Sequence, residues 1–211
     1  LRMSASTAAV QRPAEAPGRR SVETRARLLA AARTLFARDG YHAVRPQDVA
    51  REAGVAQGTF YQYFPDKLAC FLAFVETVGA ELGAATDAAL EGATSFEERL
   101  VRSVSATFAF ARTHPRELMT AMADSRVLVA EGAQTLGHTL FDRWAEYWAD
   151  ILRIGQAEGR VRADLDLKLA GASVLGVVRQ SSAYGYSHGA SEAELTEHIR
   201  RFILAAVAPD R

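Results

Sequence analysis

The residues best equipped for chemistry in this chain lie in the run Gln57-Gly58-Thr59-Phe60-Tyr61-Gln62-Tyr63-Phe64-Pro65-Asp66-Lys67. At a helical period near 3.6, Phe60 and Phe64 share one side and should anchor inward. Gln57, Thr59, Tyr61, Gln62 and Tyr63 cover the remaining arc. Their amide and hydroxyl groups can bond base edges or phosphate oxygens, and Gln is a natural bidentate partner for adenine. A solvated helix face is usually built from Glu, Lys and Arg, so an uncharged polar face beside Lys67 is odd for bare solvent. From composition alone it suits a recognition helix or a partner-binding helix equally. Catalysis has no comparable constellation. His42, His114, His138, His188 and His198 show no metal-ligand spacing, and no Ser or Cys sits in a recognisable nucleophile setting, so no catalytic residue, metal or cofactor is expected.

Two short helices folded across a glycine turn would present that face. Pro46 can open the first, because its missing N–H is an unpaired first-turn donor anyway and its φ is already helical. Val49, Ala50 and Ala53 give it a small apolar side. Gly54 follows where a helix would end on a left-handed residue, and Val55 plugs the gap before the second helix, which Pro65 stops. Upstream, a helix from Ser21 to about Asp39 carries Leu28, Leu29, Ala32, Leu35 and Phe36 at helical spacing and ends at Gly40.

The run Ala53-Gly54-Val55-Ala56 continuing through Lys67 resembles the helix-turn-helix signature of the tetracycline-repressor (TetR) family of bacterial regulators. Leu28 to Ala32, Leu35-Phe36 and Asp39-Gly40-Tyr41 resemble that family's first helix. Three positions depart from the pattern. Val44 and Arg45 stand where hydroxyl residues commonly precede the second helix, and Ala56 stands where Ser is frequent. Each missing cap could cost about 1 kcal/mol. The resemblance implies a DNA-contacting set of Arg45, Gln57, Gly58, Thr59, Tyr61, Gln62, Tyr63 and Lys67, with Gln57 and Gln62 on base edges and Thr59, Tyr61, Tyr63 and Lys67 mostly on phosphates.

Composition agrees with an intracellular all-α protein. Half of the 211 residues are hydrophobic, Ala is abundant, and no run is read as approaching the roughly 20 apolar residues of a membrane-spanning helix. Cys70, the single cysteine, sits among Leu68, Phe71 and Leu72 and reads as a small core residue. The net charge of zero hides an asymmetry. Through residue 70, eleven Lys and Arg stand against six Asp and Glu; beyond it the balance is fourteen against nineteen. A basic front on an acidic rear suits a DNA-binding head on a body that does not bind DNA.

Three parts are expected: a disordered arm over residues 1–19, a three-helix helix-turn-helix DNA-binding domain over 20–67, and a larger helical effector-binding and dimerisation domain over 68–211. Asp66 should cap a long linking helix, Ser95 to Glu98 and Ser191 to Glu194 are capping-box patterns, and Pro115 opens a short helix before a longer segment from about Ser125 to Glu158. The last two helices, near Asp166 to His188 and Ser191 to Val207, suit a two-fold bundle. Ala172, Leu175, Gly176, Ile199, Phe202, Ile203 and Ala206 are the expected homodimer interface. The resemblance further implies a small-molecule cavity in the body. Phe108, Met119, Met122, Phe141, Trp144, Trp148 and Tyr184 could line it for a hydrophobic or aromatic effector, although such residues at helical spacing also serve as plain core. The resulting expectation is a cytoplasmic, dimeric regulator, a repressor released from a near-palindromic double-stranded operator by that effector. The alternatives are an activator, or a DNA-binding dimer that ignores ligands or answers to a protein partner.

Overall fold

A computed structural model describes residues 19–123 and 134–209, with the side chains of 123 and 134–141 left aside. The described residues form α1 (Arg19–Ala43), α2 (Pro46–Glu52), α3 (Gln57–Tyr63), α4 (Lys67–Leu90), α5 (Phe96–Thr113), α6 (Pro115–Ala123), α7 (Gln134–Ala157), α8 (Leu167–Ser187) and α9 (Glu192–Val207), with no strand among them. The arm expected over 1–19 lies outside the described residues except for Arg19, which opens α1. The expected start of the long segment near Ser125 lies outside them too.

In α1, Leu28, Ala31, Ala32, Leu35 and Phe36 recur at the spacing of one helix face, and all are buried. Gly40 interrupts the helix with φ +75°, a left-handed value open to glycine, and this turns Tyr41 back under the head. There the Tyr41 ring meets Phe71 edge-on at 4.8 Å. Cys70, Phe71, Phe74, Val75, Val78 and Leu82 of α4 share one hydrophobic core with α1, α2 and α3, joined by Phe110 of α5 and Ala121 of α6. The second core runs from Phe96, Leu100, Val104 and Phe108 through Trp148, Ile151 and Leu152 to Val174, Val178, Leu195, Ile199 and Ile203. Helix α4 is therefore shared, one side completing the first core while it also runs along α5. Ionic contacts reinforce the junction: Arg33 of α1 reaches Glu81 of α4 at 2.6 Å and Glu117 of α6 at 3.7 Å.

Helix α4 corrects one expectation. Lys67–Leu90 is long and apolar enough to cross a membrane by length and composition, because Ala80, Ala84 and Ala88 share its exposed positions with only Glu76 and Asp87. In this fold its aromatic and branched side chains pack on α1.

Local start signals act largely as the sequence predicts. Asp66 Oδ1 accepts from Ala69 N–H at 2.7 Å, and Asp166 Oδ1 accepts from Lys168 and Leu169. Ser191 and Glu194 form a reciprocal box. At α5, Ser95 Oγ caps Glu98 N–H, but the Glu98 carboxylate reaches one residue further back. There Thr94 offers an N–H at 2.9 Å and a hydroxyl at 3.3 Å together. The backbone hydrogen bond from Thr94 is the leading reason the Glu98 carboxyl lies below its ordinary range. Helices α7 and α8 approach closely at Gly171, where a Cβ would stand 2.2 Å from the Ala145 carbonyl oxygen.

Candidate nucleic-acid interface

Helix α2 begins without a side-chain cap from Arg45. Asp48 compensates from inside the first turn, its Oδ2 accepting the Arg45 N–H at 3.2 Å. Val49 and Ala50 are buried, and Gly54 ends the helix at φ +64°. The Val55 N–H then donates to Ala50 O at 3.0 Å, closing the turn. Helix α3 starts at Ala56, also without a side-chain cap. Two inward rings hold it: Phe60 is fully buried, Phe64 nearly so, and their centroids lie 5.6 Å apart. Truncating a ring so placed costs about 3–5 kcal/mol.

The opposite side of α3 is open. Gln57, Gly58, Tyr61 and Gln62 are exposed, and Thr59 is half-buried. Positions 57 and 61, and 58 and 62, are four apart, so these groups stack into one face. Tyr61 is 50% exposed and rests edge-on against Phe60 at 5.3 Å, which aims its hydroxyl outward without leaving the ring loose. Tyr63 is half-buried against the first core. Arg45 is exposed at the head of α2.

Lys67 stands apart from this face. Its Nζ donates to Tyr41 O at 3.0 Å and lies 4.1 Å from the Tyr41 ring centre. Two arginines of α1 that stand outside every sequence pattern above also serve the unit. Arg27 Nη2 donates to Ala53 O at 2.6 Å and Gly54 O at 3.3 Å, and the Arg25 guanidinium lies 5.3 Å from the Phe64 ring centre. Their partners lie 26 or more positions away, so no local motif marks them.

Cys70 is fully buried beneath this unit, and burial pushes its thiol up to about 12, away from the reactive thiolate.

The other expected site residues fall in several places. On α8 and α9, Ala172, Gly176, Phe202 and Ala206 are exposed and Leu175 is half-buried. Ile199 and Ile203 are both buried in the protomer's own second core, on the inward side of α9. Of the expected effector-lining residues, Phe108 and Trp148 are buried in that core, while Trp144 packs against the first. Met122 is half-buried, Met119 and Tyr184 are each 64% exposed, and the Phe141 side chain lies outside the described residues. Two open grooves among the described residues, of about 720 and 470 Å³, run along α9 and between α1 and α4, and neither is lined by this set. No group of three or more metal-ligating side chains occurs among the described residues.

Two short helices across a left-handed glycine, the second anchored by buried rings and open on its amide and hydroxyl side, have the geometry of a helix-turn-helix unit. The family model for bacterial regulatory proteins of the tetR family matches residues 28–74, which spans α1, α2, α3 and the start of α4. Over this stretch the chain is similar to the N-terminal unit of that family of bacterial regulatory proteins. It is similar to the transcriptional activator FasR of Mycolicibacterium smegmatis, 36% identical over 88 residues that make up 42% of this chain and 40% of FasR. It is also similar to the transcriptional repressor KstR of Mycobacterium tuberculosis, 38% identical over 76 residues, 36% of this chain and 34% of KstR. The chain thus covers less than half the length of these curated relatives. Among solved structures, a protein described as a transcriptional regulator from Saccharomonospora viridis, in complex with choline, superposes with a TM-score of 0.70 at 26% identity. That match covers 90% of this chain and all of the other.

Proposed function

We propose that the chain is a dimeric, sequence-specific regulator that represses from a near-palindromic operator until a small hydrophobic ligand releases it. The observation carrying this reading is the open face of α3, where Gln57, Tyr61 and Gln62 stand exposed on a helix whose other side is locked by Phe60 and Phe64. Gln57 and Gln62 read base edges, and Thr59, Tyr61, Tyr63, Arg45 and the Gly58 N–H hold phosphates. The exposed Ala172, Gly176, Phe202 and Ala206 pair two copies through α8 and α9, so that two α3 helices enter successive major grooves roughly 34 to 36 Å apart.

The choline bound to the Saccharomonospora viridis protein supports a small-molecule effector for the body. FasR is named an activator and KstR a repressor, so the chemistry of the head does not fix the sign of regulation; operator position does. The test is selection of bound duplexes from random DNA by the purified protein, followed by release assays with hydrophobic metabolites. An enriched inverted repeat that a ligand dissociates is expected. Recovery of no preferred sequence would overturn the reading.

A further inference from the structure

Among the described residues, Thr86 of α4 and Ser103 of α5 are polar side chains with no exposed surface, and both meet the hydroxyl of Tyr147 on α7. Ser103 Oγ lies 2.7 Å from that hydroxyl. Thr86 stands within hydrogen-bonding reach of it and gives its own proton to the Gly83 carbonyl at 2.8 Å. A carbonyl can only accept, so the order of donors is fixed. Ser103 donates to Tyr147, Tyr147 to Thr86, and Thr86 to the backbone of α4. Burial is the leading reason the Tyr147 phenol lies above its ordinary range, which keeps it a donor. A buried chain of this kind is strengthened by its own succession of donors and is costly to break.

The relay crosses from one core to the other. Leu82, one turn before Thr86, belongs to the first, and Val104, beside Ser103, belongs to the second. On α7, Tyr147 shares a turn with Ala145 and Ala149, against whose backbone α8 packs at Gly171. A Cβ at that glycine would lie 2.2 Å from the Ala145 oxygen and 2.8 Å from the Ala149 nitrogen, so α7 and α8 have little room to move apart in register. An ion pair between Arg143 and Glu76 at 3.7 Å also joins α7 to α4, but both side chains are exposed and solvent weakens such a pair. Helix α8 carries part of the proposed pairing face. We infer that Tyr147 is a positioning residue: through Ser103, Thr86 and Gly83 it passes the orientation of two paired bodies into α4, and so into the recognition helices. The inference rests on the proposed pairing for its consequence on DNA, though not for its geometry.

The experiment uses the full-length protein with Tyr147→Phe, which keeps the ring and removes the oxygen, with the milder Ser103→Ala, and with both together. In the free protein, amide hydrogen exchange over residues 83–90 should speed up by about tenfold in Tyr147→Phe and by less in Ser103→Ala, with exchange over 28–36 and 195–203 unchanged. The double variant should match Tyr147→Phe, because both changes break one chain. On DNA, the parent should prefer a selected operator over the same half-sites with one base pair inserted between them. Tyr147→Phe should narrow that preference by about tenfold and leave binding to an isolated half-site unchanged. Exchange that rises equally in every helix would mean that the hydroxyls serve overall stability alone, and would overturn the inference. So would a double variant whose effect is the sum of the single ones, or a spacing preference equal to the parent's. A parent indifferent to spacing would count against the proposed pairing instead, and the exchange results would then decide the relay by themselves.

Discussion

Gln62 is exposed on the side of α3 away from Phe60, with no charged residue within that helix to compete for a ligand's polar groups. A bidentate amide on a base edge discriminates, whereas a contact to the phosphate backbone does not. Gln62→Ala should therefore weaken binding to a selected operator by about 1–3 kcal/mol and leave binding to random DNA nearly unchanged. Parallel titrations on the two duplexes check this, and equal losses would remove Gln62 from base readout. Cys70, beneath the same helices, makes a prediction of a different kind. Burial raises its folded pKa from an ordinary 9.0 to about 12. The folded state holds its proton longer than the unfolded one, so this contribution is fully present below pH 9 and is lost as pH rises from about 9 toward about 12. Denaturation midpoints should fall across that alkaline window more steeply for the parent than for Cys70→Ala. At pH 8 the native thiol should resist alkylating reagents that modify the unfolded chain.

Elements were legible where their limits are set by local chemistry. Pro46, Gly54, Pro65, Asp66, Pro115 and Ser191 each mark a helix end that the structure contains, since caps and breakers act within four residues. The inward rings of α3 followed from period alone. Orientation between elements was not legible. Periodicity places Ile199 and Ile203 on one apolar stripe of α9 without saying whether that stripe meets the protomer or a second copy, and it meets the protomer. The small residues of α8 divide in the same way: Gly171 lets α7 approach, whereas a Cβ at Gly176 would meet open space. Gly171→Ala separates packing from helix propensity. Ala is the better helix former by up to about 1 kcal/mol, yet its Cβ would collide with backbone, where overpacking costs about 1–3 kcal/mol. A net loss of thermal stability is expected. Gly83→Ala in α4, with nothing within reach of the new Cβ, should gain stability instead. Equal behaviour of the two variants would mean that α7 yields freely and that the close approach is unimportant.

At the scale of the molecule, two cores divide the labour. The first joins the helix-turn-helix to α4 and to parts of α5 and α6; the second belongs to α5, α7, α8 and α9. Through Arg33, with Glu81 and Glu117 around it, and through Thr120 donating to Phe36 O at 3.4 Å, the head is held to elements of the body rather than left on a loose linker. Such mounting matters for a paired molecule, because the spacing of two recognition helices then depends on how the bodies meet. Phe202 is 54% exposed on α9, beside the exposed Ala206, and is the largest apolar side chain of the proposed pairing face. Phe202→Glu places a charge where the partner's apolar surface would have to bury it. Sedimentation should then find a monomer with the parent's helical content. Binding to a full operator should fall by about 10²–10⁴-fold, because the second half-site no longer acts at a high effective concentration. Binding to an isolated half-site should be unchanged, since α3 and its supports are untouched. A variant that remains dimeric would exclude this face as the interface. A monomer that keeps full-operator affinity would show that pairing contributes nothing to recognition.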